Sequence, residues 1–207
     1  MDINHILQQI IILAPPFLFA LTFHELAHGY VAWRLGDPTA KNAGRLTMNP
    51  LKHLDPLGVL AFIIMKIGWA KPVPVNPAYF RDPRQGMLLV ALAGPGANML
   101  LAVASAILVK LLLTLHPFIP LFVLNPLAQM LAASVWINVM LAVFNLVPIP
   151  PLDGSKILAG VLPPEMARGY EKLEPFGFIL LLILFYLGLI SQAIMPIIRF
   201  ANNLLLG

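Results

Sequence analysis

Phe23-His24-Glu25-Leu26-Ala27-His28 lies inside an apolar run from Ile6 to Val31, and its reading decides both fold and chemistry. A run of this length reaches the roughly 20 residues a helix needs to cross hydrocarbon. On that helix, positions four apart share a face, so His24 and His28 can reach one ion while Glu25 projects beside them. Titratable groups at membrane depth are costly and mark a functional site by default. Two imidazoles and a carboxylate so spaced are what a zinc hydrolase needs. The plain alternative, an HExxH string on the polar surface of a soluble helix, does not fit an apolar span.

Working outward, 59% of the 207 residues are hydrophobic and only 11% are charged, and the mean hydropathy is +0.86. That exceeds what a soluble domain carries and predicts an all-α polytopic membrane protein. The spans are expected at about 6–34, 87–115, 121–147 and 176–198, within one membrane-embedded domain over 1–207. Leu57 to Met65 is too short to cross and reads as an interfacial or re-entrant piece. Thr39 to Met48, with a turn at Asn42-Ala43-Gly44, predicts a short hairpin, a small β element in the loop between the first two spans. The net charge of +4 comes from residues spread through loops, not gathered with aromatics, so nucleic acid is not an expected partner. The lack of cysteine excludes disulfides and thiolate ligands and leaves any metal to His, Asp and Glu. No basic n-region or small-residue cleavage site precedes the motif, so a removable signal peptide is not expected.

Orientation follows from the basic residues, which favour cytoplasmic loops. Arg34, Lys41, Arg45, Lys52, Lys66, Lys71, Arg81 and Arg84, eight of the thirteen, lie between the first two spans. That loop is expected in the cytoplasm, with the histidines roughly 9 to 15 Å inside the cytoplasmic end of the first helix. The membrane expected is the plasma membrane.

A catalytic zinc takes three protein ligands and leaves a place for water. Asp2, Asp37, Asp55, Asp82, Glu165, Glu171 and Glu174 all sit in polar or loop settings. Apart from Glu25, only Asp153 adjoins a long uncharged run. It follows Asn145-Leu146-Val147-Pro148-Ile149-Pro150-Pro151-Leu152, whose prolines forbid continued helix, and precedes Gly154, which allows unusual dihedrals. Asp153 is therefore the candidate third ligand, unless it merely caps a helix beginning near Ser155.

At these residues the chain resembles the site-2 protease family of intramembrane zinc metalloproteases. The likeness rests on Phe23 to His28, on Asn145 to Gly154 read as Asn-x-x-Pro-x-Pro-x-Leu-Asp-Gly, and on Gly94-Pro95-Gly96-Ala97-Asn98. It covers about residues 6 to 155. The resemblance implies one Zn2+ per chain on His24, His28 and Asp153, with Glu25 as catalytic acid/base. It also implies that Asn145 contacts the substrate backbone or the developing oxyanion. The substrate implied is a transmembrane protein or peptide, cut in or near the bilayer in regulated intramembrane proteolysis. The form is minimal, with the motif helix first and no room for PDZ or CBS domains. A membrane metal-ion transporter using the same His/Asp site is the alternative, and the sequence leaves the oligomeric state open.

Three further expectations concern the neighbourhood. Pro72 and Pro74 remove donors from one edge of Trp69 to Asn76, and an extended segment there would keep Lys71, Val73 and Val75 N–H groups on the other edge for an unwound substrate. Asn98 and Asn138 are expected to hydrogen-bond between helices. His53, in a loop turn, is expected at the polar surface.

Overall fold

The computed structural model describes residues 3–65 and 68–207, so Met1, Asp2, Lys66 and Ile67 lie outside it, Lys66 of the basic loop among them. Helix α1 runs Ile3–Arg34, α2 Thr39–Asn42, α3 Pro56–Met65, α4 Pro83–Thr114 and α5 Leu121–Asn145. Then follow α6 Asp153–Val161, α7 Pro164–Glu171, α8 Glu174–Tyr186 and α9 Leu189–Leu206. Among the described residues α1, α4, α5 and α9 are long and apolar enough to cross a membrane. Large apolar side chains point outward along them, Phe122 at 79% and Leu100 at 74% exposure. That is the surface a lipid solvent wants and water does not.

Local chemistry sets the ends. Gly36, at φ 108°, closes α1 in a conformation that favours glycine, and the Asp37 N–H reaches back to the Ala32 carbonyl at 2.9 Å. Asp82 Oδ1 accepts the Arg84 and Gln85 N–H groups at 2.9 and 3.0 Å, and Pro83 follows as the first residue of α4. Asp55 Oδ1 does the same for α3, on Leu57 and Gly58. Helix α3 has 10 residues, about 15 Å of rise, too little to cross.

Two expectations are corrected. The apolar run 176–198 is not one span, because Gly188 at φ 73° breaks it into α8 and α9. A left-handed residue ends a helix, and α8, at 13 residues, is short for a span. Nor is there a small β element: among the described residues no strand forms, only a single antiparallel bridge between Leu54 and Ala70. Where the hairpin was expected, Asp37 Oδ1 accepts the N–H and the hydroxyl of Thr39. This bond starts the helical turn α2 instead of a strand.

The chain forms two compact units. Of the described residues, one comprises 3–20, 98–144 and 182–207, the other 21–65, 68–97 and 145–181. In the first, Ala102 and Ala106 of α4, Val135 and Val139 of α5 and Ile198 of α9 make the core, small residues letting the backbones approach. There Asn98 Nδ2 donates to the Ala20 carbonyl at 3.1 Å and to Asn138 Oδ1 at 2.8 Å, the interhelical role expected of both asparagines. In the second unit Ala32, Phe80 and Val90 form a small core packed by Val75 and Met87.

Candidate metal centre

Every residue of this site belongs to the second unit. His24 and His28 lie one turn apart on α1, with Nε2 atoms 3.0 Å from each other. Asp153 Oδ2 is 3.1 Å from the first and 3.2 Å from the second. Three corners of a tetrahedron with bonds of about 2.0–2.1 Å lie about 3.3–3.4 Å apart, so the triangle has the size that one zinc ion requires. Among the described residues it is the one group of three His, Asp or Glu side chains placed to hold an ion. The donor set fits as well. Asp153 Oδ2 is buried without a hydrogen bond, and a carboxylate oxygen aimed with two imidazole nitrogens at one point calls for a cation.

The loop before α6 delivers Asp153. Helix α5 stops at Asn145, and Gly154 passes so close to that end that a Cβ on it would meet the Leu146 carbonyl oxygen at 2.2 Å. Close approach, not a positive φ, is therefore what requires glycine at 154, which corrects the reason given from sequence. Asp153 opens α6 but does not cap it: no side chain caps this helix, and its carboxylate turns to the histidines. Asn145 is the last residue of α5 and half-buried.

Helix α4 orients the imidazoles. His28 Nδ1 donates to the Val90 carbonyl at 2.7 Å, which fixes the tautomer and leaves the Nε2 lone pair for a metal. At Gly94 a Cβ would sit 2.4 Å from His28 Nε2 and 2.6 Å from His24 Cε1. The glycine is the space the imidazoles occupy. Gly94→Ala is expected to weaken zinc affinity by about 10- to 100-fold with the protein still inserted in membranes. Competition against a chelator measures it, and wild-type affinity would show that α4 withdraws without cost.

Glu25, 8% exposed, accepts a hydrogen bond at Oε2 from the Val73 N–H, 2.9 Å away. The segment that supplies this N–H is not a strand, and its donors are used internally: Lys71 N–H goes to the His53 carbonyl, Val73 N–H to Glu25. The expected substrate edge is thus occupied by the protein's own groups at these two positions. Asp37 Oδ2 accepts the Asn76 N–H at 2.7 Å, and Arg45 donates to the Lys71 and Pro72 carbonyls at 2.6 and 3.1 Å. Asp37, read from sequence as a polar loop residue, is fully buried. Its hydrogen bonds with Thr39 and Asn76 outweigh burial and hold its carboxyl below the ordinary range. His53, expected at the surface, is fully buried too; Nε2 lies 2.9 Å from the Thr47 carbonyl, which accepts its hydrogen. Loop residues gave no sequence signal of burial, because Asp37, Arg45 and His53 are covered by chain distant in sequence.

The chain is similar to known proteins named as zinc metalloproteases. The family model described as peptidase family M50 matches residues 120–185, a stretch that includes Asp153 but not the histidines. YwhC of Bacillus subtilis strain 168, provisionally named a zinc metalloprotease, is 40% identical over 200 residues, 91% of this chain and 86% of that protein. Rip2 of Mycolicibacterium smegmatis, named in the same provisional way, is 33% identical over 173 residues, 81% of this chain and 64% of that protein. No solved structure matches the chain.

Proposed function

The chain belongs to peptidase family M50, the site-2 proteases, and from that premise we infer an intramembrane zinc metalloprotease that cuts transmembrane proteins. The observation that carries the reading is the His24–His28–Asp153 triangle with Glu25 on the same helical turn. His24, His28 and Asp153 hold the ion, one per chain. When bound, zinc polarises a carbonyl and brings the pKa of a water toward neutrality.

Glu25 takes a proton from the attacking water as the water oxygen bonds to the peptide carbon, and returns it to the amine nitrogen as the C–N bond breaks. The Val73 N–H keeps the Glu25 carboxylate aimed during both transfers. Asn145 donates to the substrate backbone or to the developing oxyanion. A substrate helix hides its carbonyls in its own hydrogen bonds, so it must unwind locally before attack. The membrane is the plasma membrane, and the site faces the cytoplasm, because six of the thirteen basic residues lie between α1 and α4 and two more, Arg34 and Arg84, sit at the facing ends of those helices. Metal transport through the same ligands is the less favoured reading, since it leaves Glu25 and its fixed donor without a task.

The test uses the full chain purified in detergent, returned to vesicles, and given single-span substrates. One zinc per chain is expected, together with cuts near the cytoplasmic end of the substrate span. Chelation should stop cleavage and added zinc should restore it. Cleavage indifferent to chelation, or protein without zinc, would sink the assignment.

A further inference from the structure

Arg45 is 6% exposed, and among the described residues no carboxylate forms an ion pair with it. Buried guanidinium groups are ordinarily paired with an acid. Here the fork instead spans two consecutive backbone carbonyls, Nη2 on Lys71 O at 2.6 Å and Nη1 on Pro72 O at 3.1 Å. The second contact is the informative one. Pro72 C=O and Val73 N–H belong to the same peptide group, and that group is trans. In a planar trans peptide the oxygen and the hydrogen point in opposite directions. Holding the oxygen therefore fixes the direction of the hydrogen, which is aimed at Glu25 Oε2.

We propose that Arg45 is the positioning residue of Glu25, acting through the Pro72–Val73 peptide. A cation on the peptide oxygen and an anion on its hydrogen both align with the peptide dipole, and each polarises the group in favour of the other contact. The side chain suits the task because its planar fork holds two acceptors in fixed geometry, which a lysine ammonium does not. Asp37 ties the far end of the segment at Asn76, so the peptide cannot rotate by sliding along the chain. Proline at 72 narrows its own backbone further by fixing φ. Arg45 touches no reacting atom. It rests on the assignment of Glu25 as acid/base.

The test compares full-length wild type, Arg45→Ala and Arg45→Lys. Arg45→Ala is expected to keep one zinc per chain while kcat falls by about 10- to 100-fold, as misplacement of a catalytic group does, with KM little changed. Amide hydrogen exchange over residues 71–76 should accelerate while α1 and α4 exchange as before. Millimolar methylguanidinium should restore part of kcat to Arg45→Ala but not alter wild type. Arg45→Lys should fall between the two. Unchanged kcat in a zinc-loaded Arg45→Ala protein, a loss in KM alone, or a loss that methylguanidinium does not relieve would each overturn the proposal. If Arg45→Ala does not fold, Arg45→Lys is read by the same criteria, and failure of both to fold overturns it by making Arg45 a folding residue. The underlying assignment fails differently: zinc-loaded wild type that does not cut, or Glu25→Gln that still cuts.

Discussion

Glu25→Gln will leave zinc bound and lower turnover by about 10²- to 10⁴-fold, the contribution of a positioned general acid/base. The substitution keeps the length and shape of the side chain. Its amide oxygen can still accept the Val73 N–H now held at 2.9 Å, so the segment next to the site keeps its anchor. It removes only the ability to take a proton from water and return it to the amine. The ligands are untouched, since His24, His28 and Asp153 form their triangle without Glu25. Zinc content by elemental analysis and cleavage of a single-span substrate give the two readouts. Retained cleavage would refute the role of Glu25, whereas metal flux through vesicles without proteolysis would favour a transporter.

Asp153→Ala will lose the metal. Two imidazoles one helical turn apart supply two ligands, and a catalytic zinc site takes three. The third arrives from the far side of the proline-rich loop, with Oδ2 at 3.1 and 3.2 Å from the two imidazole nitrogens. The affinity should fall by more than the about 10- to 100-fold that loss of an outer hydrogen-bond partner costs. Wild-type zinc stoichiometry after dialysis against a mild chelator would exclude Asp153 as a ligand. Circular dichroism should show the same helix content, because no side chain caps α6 and so the helix does not depend on the carboxylate. The two substitutions separate chemistry from metal: Glu25→Gln keeps zinc without turnover, and Asp153→Ala has neither.

What the site owes to local sequence differs from what it owes to contact. The histidine pair was legible because helical periodicity alone puts positions 24 and 28 on one face. Asp153 was legible by its place after three prolines in a chain with nine acidic residues. From the sequence, Gly94 entered only as part of the stretch that carries the family resemblance. The structure shows that what it admits is the pair of imidazoles. The donor to Glu25 was not legible, because a backbone N–H leaves no mark in the choice of residue at Val73. Arg45 looked like one of eight loop cations counted for orientation. Its burial depends on Lys71 and Pro72, which lie 26 and 27 positions away.

The sequence by itself determined the solvent, the helices and the chemistry, since hydropathy, helical period and the His-Glu-His spacing are properties of short stretches. It did not determine the break at Gly188, because a glycine inside an apolar helix is tolerated until its backbone adopts a positive φ. Nor did it decide that the loop after α1 would be a helical turn held by Asp37 instead of a hairpin. Tertiary structure alone decided which backbone groups face Glu25 and His28. Every residue carries the same N–H and C=O, so only the packing of one segment against another distinguishes the Val73 N–H and the Val90 carbonyl from all the rest.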